Sequence, residues 1–251
     1  MMSQPESIPV PSYLVFGATG GIGSNLSRRL ASRGARLLLA ARDGDRLGQL
    51  AAELHAVACP TDATRFEEVD ACVDKAMQLH GRIDGIANCV GSLLLKPAHA
   101  TTEAEWLGMV ATNLTSAFAI VRAGAKAMMN SGGSIVLVSS AAGRIGLMNH
   151  EAIAAAKAGV IGLTLSAAAT YAARGIRINC VAPGLVRTPM TSRLTGNEAA
   201  LKTSVAMHAL GRIGEPEDVA AAIEWLLSRE QSWVTGQTLG IDGGLATVRS
   251  R

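Results

Sequence analysis

The segment YLVFGATGGIG, residues 13–23, carries an apolar run straight into a glycine-rich turn. Its first four residues, Tyr13 to Phe16, have the length and composition of a buried strand. Helical period follows from about 21 to 33, and Gly34 closes the basic last turn of SRRLASR. Gly17, Gly21 and Gly23 thus sit where a strand turns into a helix. That spacing allows a tight turn, close backbone approach to a pyrophosphate, and a helix N-terminus aimed at the anion. Read as strand, turn and helix together, the segment predicts the first βα unit of a dinucleotide-binding fold.

The pattern continues outward. Strand candidates are RLLLAA (36–41), HAVAC (55–59), IDGIANC (83–89), GSIVLVSS (133–140), IRINCVA (176–182) and QTLGID (237–242). Helical periods fall between them, near 44–54, 64–80, 103–130, 151–173 and 216–228, the last opened by Pro216 with acidic residues in its first turn. Regular alternation of this kind predicts an α/β fold: a single doubly wound Rossmann-type domain, with a mainly parallel seven-stranded sheet and helices on both faces. The expected domain spans 12–246, with a flexible tail at 1–11 and another at 247–251. Residues 184–215 show no period between confident elements and are expected to form a substrate lid.

Composition narrows the function. With 251 residues, 49% of them hydrophobic, the chain can bury a large core. Twenty-three basic and 20 acidic residues leave a dispersed charge of +3, which speaks against nucleic acid or a membrane surface as partner. Cys59, Cys72, Cys89 and Cys180 are too far apart for a zinc site or a disulfide framework, so no metal is expected. No unbroken apolar run reaches the length of a membrane span, and a cytoplasmic protein is expected.

The second strand ends in LLAARDGD. An NAD-selective site would place an acidic residue at the strand end, where this chain has Ala41 followed by Arg42. A guanidinium can pair with a 2′-phosphate, so NADP is the preferred cofactor, with NAD possible. Asp43 reads as turn or helix-cap chemistry.

Taken in order, Gly17, Gly21, Gly23, Asp62, the run NCVG at 88–91, Asn113, Ser139-Ser140, Lys157, Pro183-Gly184 and IDGG at 241–244 resemble the short-chain dehydrogenase/reductase family over about residues 13–245. The resemblance is nearest to its β-ketoacyl-carrier-protein reductase-like branch. It implies that the turn residues Gly17, Thr19, Gly21, Ile22 and Gly23 hold the dinucleotide with Arg42. Asp62 would accept from the adenine amino group, and Asn88 and Gly91 would lie beside the cofactor. Pro183, Gly184, Val186 and Thr188 would close over the nicotinamide and phosphates, and Lys157 would hold its ribose. A small-molecule substrate and a homodimer or homotetramer are also implied.

The same resemblance assigns chemistry. Ser140 would hold a substrate oxygen, Asn113 would support a proton path, and Lys157 would complete the set. The family's proton-donating tyrosine stands four residues before the lysine, and here that residue is Ile153. The only tyrosines are Tyr13 and Tyr171, at the wrong ends of the fold. His150, one turn earlier, is a candidate replacement acid, or else a residue that caps the helix or lines the cleft. Two functions follow: an atypical NADP(H)-dependent reductase of a carbonyl or activated C=C in a small, partly apolar metabolite, or a catalytically silent cofactor-binding subunit or sensor. Leu93, Leu94, Leu147, Met148, Met190, Leu194, Met207 and Leu210 are expected to make the opening apolar.

Overall fold

A computed structural model describes residues 10–248; the expected tails at 1–11 and 247–251 lie mostly outside them. The first strand, β1 (Ser12–Phe16), is buried at every position. It leads into α1 (Gly21–Ser32), β2 (Arg36–Ala41), α2 (Gly44–Glu53), β3 (Val57–Pro60), α3 (Phe66–His80) and β4 (Gly85–Asn88). After a long connection come α4 (Glu103–Val110), α5 (Ser116–Met128), β5 (Gly133–Val138), α6 (Glu151–Tyr171) and β6 (Ile176–Pro183). The chain then forms α7 (Ser192–Thr195), α8 (Glu198–Met207), α9 (Pro216–Leu227) and β7 (Thr238–Ile241).

Seven strands form one sheet in the order β3-β2-β1-β4-β5-β6-β7. Every neighbouring pair is parallel, so the expected mainly parallel sheet is wholly parallel. Period two sorts the strand residues onto two faces. Leu14, Phe16, Ile86, Ile135 and Ile178 pack with α3, α5 and α6 residues such as Val69, Ile120 and Val160. Tyr13, Val15, Leu39, Val136 and Val181 pack on the other face with Leu26, Leu30, Leu47 and Ile223 of α1, α2 and α9. The connections reverse direction between β1 and β4, and a crevice opens there at the carboxyl ends of the strands.

Two expectations need correction. The helix expected over 103–130 is interrupted by a π-turn at Ala111–Thr115, because buried Asn113 spends its side chain on nearby backbone and side-chain partners. The aperiodic stretch 184–215 contains two helices, α7 and α8; α8 is capped by Asn197, whose side chain accepts from the Ala200 N–H, and buries no residue, so it leaves little hydrophobic period in the sequence. Membrane-span length also appears where no unbroken apolar run exists. Glu103–Met128 and Glu151–Arg174 have the length and hydropathy of a span, with 39% and 44% of their most apolar windows buried. They pack against the sheet, and their exposed sides carry Trp106, Leu107, Phe118 and Leu165.

Candidate active site

One cavity of about 670 Å³ occupies the crevice and collects residues from both halves of the sheet. At one end are Thr19, Gly20, Gly21, Ile22 and Gly23, where β1 turns into α1. Gly17 has φ +72°, and a Cβ there would meet the Cys89 backbone at 2.6 Å. A Cβ on Gly23 would meet the Gly17 carbonyl oxygen at 2.2 Å, so the turn itself demands both glycines. The first turn of α1 contains no acidic residue, leaving its N-terminal field unopposed. A Cβ on Gly21 would press on the Thr188 side chain at 2.8 Å, which brings the loop after β6 against this turn.

The adenosine end differs in detail from the sequence expectation. Arg42 is exposed at the end of β2, outside the cavity lining. Arg46, one turn into α2, does line it and donates to the Thr19 carbonyl at 3.1 Å. Asp43 accepts from the Arg46 N–H at 3.0 Å, the cap expected of it. Sequence reading missed Arg46 because nothing in the local pattern distinguishes it from any other exposed helix arginine. Asp62 accepts from the Thr64 N–H and hydroxyl, and that bonding, with Arg42 and Arg65 nearby, holds its carboxyl below the usual range. Asn88 is buried behind the cavity wall, where its Oδ1 accepts from the Val90 N–H at 3.0 Å.

At the other end Asn113, Ser140, His150, Ile153 and Lys157 come together on the cavity wall with Gly91, Pro183, Gly184, Val186 and Thr188. Lys157 is only 6% exposed, and its Nζ donates to the Val138 carbonyl at 2.8 Å. Burial pulls its pKa down to about 8. Nearby Cys89 is held the other way, its thiol pushed up to about 12 by burial, which leaves it a poor nucleophile. The two serines separate cleanly. Ser139 is buried and donates to the Lys157 carbonyl at 2.7 Å, fastening the strand to α6. Ser140 is half-buried, and its Oγ accepts from the Ala142 N–H at 3.1 Å, so its own proton remains available. The π-turn aims Asn113 at the loop after β4: its Oδ1 accepts from the Ser92 N–H at 3.1 Å, and its Nδ2 donates to Ser92 Oγ and the Met109 carbonyl.

His150 is the N-cap of α6 rather than part of its first turn, so it does not share a helical face with Lys157 as the spacing suggested. It still lines the same cavity. Its Nδ1 donates to the Met148 carbonyl at 2.8 Å, which places the proton of the neutral ring on Nδ1. Ile153 is buried against Met109 and Ala152 with Leu93 and Leu94. No tyrosine lines the cavity: Tyr13 lies within β1 and Tyr171 ends α6. The walls are apolar, with Leu93, Leu95, Leu147, Met148, Met190, Leu194 and Met207. Leu94 stands behind Ile153, and Leu210 is 73% exposed outside the lining.

His208 carries a role that the sequence did not reveal. Only 4% exposed, it donates from Nδ1 to the Ser204 carbonyl at 2.6 Å and accepts at Nε2 from the Leu185 N–H at 3.2 Å. It thereby pins the end of α8 to the loop after β6.

The chain matches the family described as "Enoyl-(Acyl carrier protein) reductase" over residues 17–246. It is similar to a 3-oxoacyl-[acyl-carrier-protein] reductase of Thermotoga maritima, with 37% identity over 92% of this chain and 96% of that protein. A solved short-chain dehydrogenase/reductase from Mycobacterium ulcerans superposes with a TM-score of 0.93 at 31% identity, covering 97% of this chain and 92% of the other. The structure of ElxO with NADP bound superposes with a TM-score of 0.90 at 27% identity, covering 96% and 100%.

Proposed function

Because this chain belongs to the short-chain dehydrogenase/reductase family, we propose that it is an atypical NADP(H)-dependent oxidoreductase acting on a carbonyl or activated C=C of a small, partly apolar metabolite. The observation that carries the reading is Lys157: a buried ammonium with one protein acceptor, set in the same cavity as a glycine turn that needs an anion. A nicotinamide dinucleotide fits both ends of that cavity. Thr19 to Gly23 would hold its phosphates, Arg46 and Arg42 its 2′-phosphate, and Lys157 its ribose. When bound it supplies or takes up a hydride. NADP in ElxO supports the choice of cofactor.

The chain's own residues then divide the work. Ser140 donates to the substrate oxygen with the proton left free by its bond from Ala142, polarising the bond under attack. Asn113 fixes the loop at Ser92 that walls the site. Apolar walls exclude water and favour an apolar substrate. Ile153 takes the place of the phenolic acid and holds no proton. His150 is the acid in this reading, and it serves only as imidazolium, giving up the proton on Nε2 while Nδ1–H stays on the Met148 carbonyl.

A second reading rests on Ile153 itself. Its packing against Met109 and Ala152 makes the vacancy a filled, stable surface, as a silent cofactor-binding subunit or sensor would have. One experiment separates the two: ketones, enones and enoyl thioesters are offered with NADPH, and cofactor absorbance is followed for the native chain and His150→Phe. Turnover that falls about 10²-fold or more in the variant with NADPH binding intact supports the enzyme with His150 as acid. Turnover unchanged in the variant removes His150 from the mechanism. NADPH binding with no turnover on any class favours the silent subunit. We also propose a cytoplasmic homodimer or homotetramer, its contacts supplied by the exposed apolar residues of α4, α5 and α6.

A further inference from the structure

A second cavity, of about 810 Å³, opens at the opposite end of the sheet. It lies among the turns that enter β4, β5 and β6, far from every residue of the reading above. Its lining includes four guanidinium groups, Arg82, Arg174, Arg177 and Arg229, and a single carboxylate, Asp84. Asp84 is almost fully enclosed and already engaged. It accepts from the Ser12 N–H at 2.8 Å and pairs with Arg82 at 2.6 Å and with Arg229. Arg177 spends its donors on the carbonyls of Leu226, Ser228 and Val234. That leaves three positive charges unbalanced around one opening.

One guanidinium there has nothing to bind. Arg82 and Arg229 are already paired with Asp84. Arg174 is exposed at the rim and forms no ion pair among the described residues. A cleft lined mainly by one sign of charge concentrates counter-ions. The guanidinium fork matches the oxygens of phosphoryl and carboxylate groups. Trp233 stands at the same rim, 98% exposed.

We propose that this cavity is a second binding site, which takes a small multivalent anion of phosphoryl or polycarboxylate type through Arg174, in the positive field of Arg82 and Arg229. The site is independent of the oxidoreductase reading and shares no residue with it. Pyrophosphate and citrate serve as probes, titrated into the full chain at fixed ionic strength by calorimetry and by tryptophan fluorescence. At least one should bind saturably, with a fluorescence change that Trp233→Phe abolishes. Arg174→Gln, which breaks no internal bond, should weaken binding about tenfold. Saturating NADPH should leave it unchanged, since a pyrophosphate in the glycine turn would be displaced instead. Whichever probe binds identifies the anion as phosphoryl or carboxylate. The proposal is overturned if neither anion saturates, or if Arg174→Gln binds as tightly as the native chain.

Discussion

Lys157 and Arg46 show how far a single side chain's surroundings reach. Lys157 has a folded pKa lowered to about 8 by burial, whereas the unfolded chain holds its lysine at the ordinary value of 10.5. Between those values the unfolded state binds the extra proton, so the contribution of Lys157 to the stability of the ligand-free protein rises with pH. Over pH 8 to 10 the gain attributable to Lys157 is about 2 kcal/mol. The raised pKa values of the buried Cys89 and Cys180 thiols act with the opposite sign from about pH 9, and that of buried Tyr13 does so at higher pH. Urea unfolding at pH 8, 9 and 10 should therefore show a more positive pH slope for the native chain than for Lys157→Met; equal slopes would contradict the burial argument. Arg46, not Arg42, lines the cavity, so Arg46→Ala should cost NADPH about tenfold in affinity and NADH little. Dissociation constants at matched salt decide this, and equal losses for both would move Arg46 to a part that the two cofactors share. Arg42 could be found from its place after a strand. Arg46 could not, since its proximity to Thr19 joins two separate βα units.

At the scale of the element, the π-turn between α4 and α5 is the piece that sequence period hid. A continuous helix would turn residue 113 by the usual 100° per residue, but the extra residue in the turn redirects Asn113 inward, where it is 1% exposed. Its amide closes three contacts across Ser92 and Met109. Asn113→Ala leaves the Met109 carbonyl and the Ser92 N–H without that partner in a buried place. We expect a loss of about 2 kcal/mol by thermal unfolding, and a tolerant melting temperature would show the π-turn to be independent of its asparagine. The β1 to α1 turn is the contrary case. Gly17 and Gly23 were legible as a turn because glycine spacing is itself local, and their close contacts in the structure give the same reason. α7 and α8 escaped notice because a helix that buries nothing needs no apolar stripe.

For the whole molecule, the apolar surface that remains on α4, α5 and α6 is the feature awaiting a partner. Phe118 is 49% exposed and Leu165 55%. If copies of the chain meet there, Phe118→Asp should convert a dimer or tetramer to a monomer in sedimentation experiments while the fold persists; a native chain that sediments as a monomer would dismiss the interface. The sequence by itself determined the alternation of strands and helices outside 184–215, the mainly parallel class of the sheet, the glycine turn and the absence of a tyrosine four residues before Lys157, because each is written in local period or spacing. Only the tertiary structure decided that the Lys157 ammonium rests on the Val138 carbonyl, that Arg46 rather than Arg42 lines the cavity, that His150 stands at the N-cap position of α6 with its Nδ1 proton committed to Met148, and that four arginines from distant segments share a second cavity. Those facts depend on which surfaces packing brings together, and burial sets the protonation and the available donors that chemistry uses.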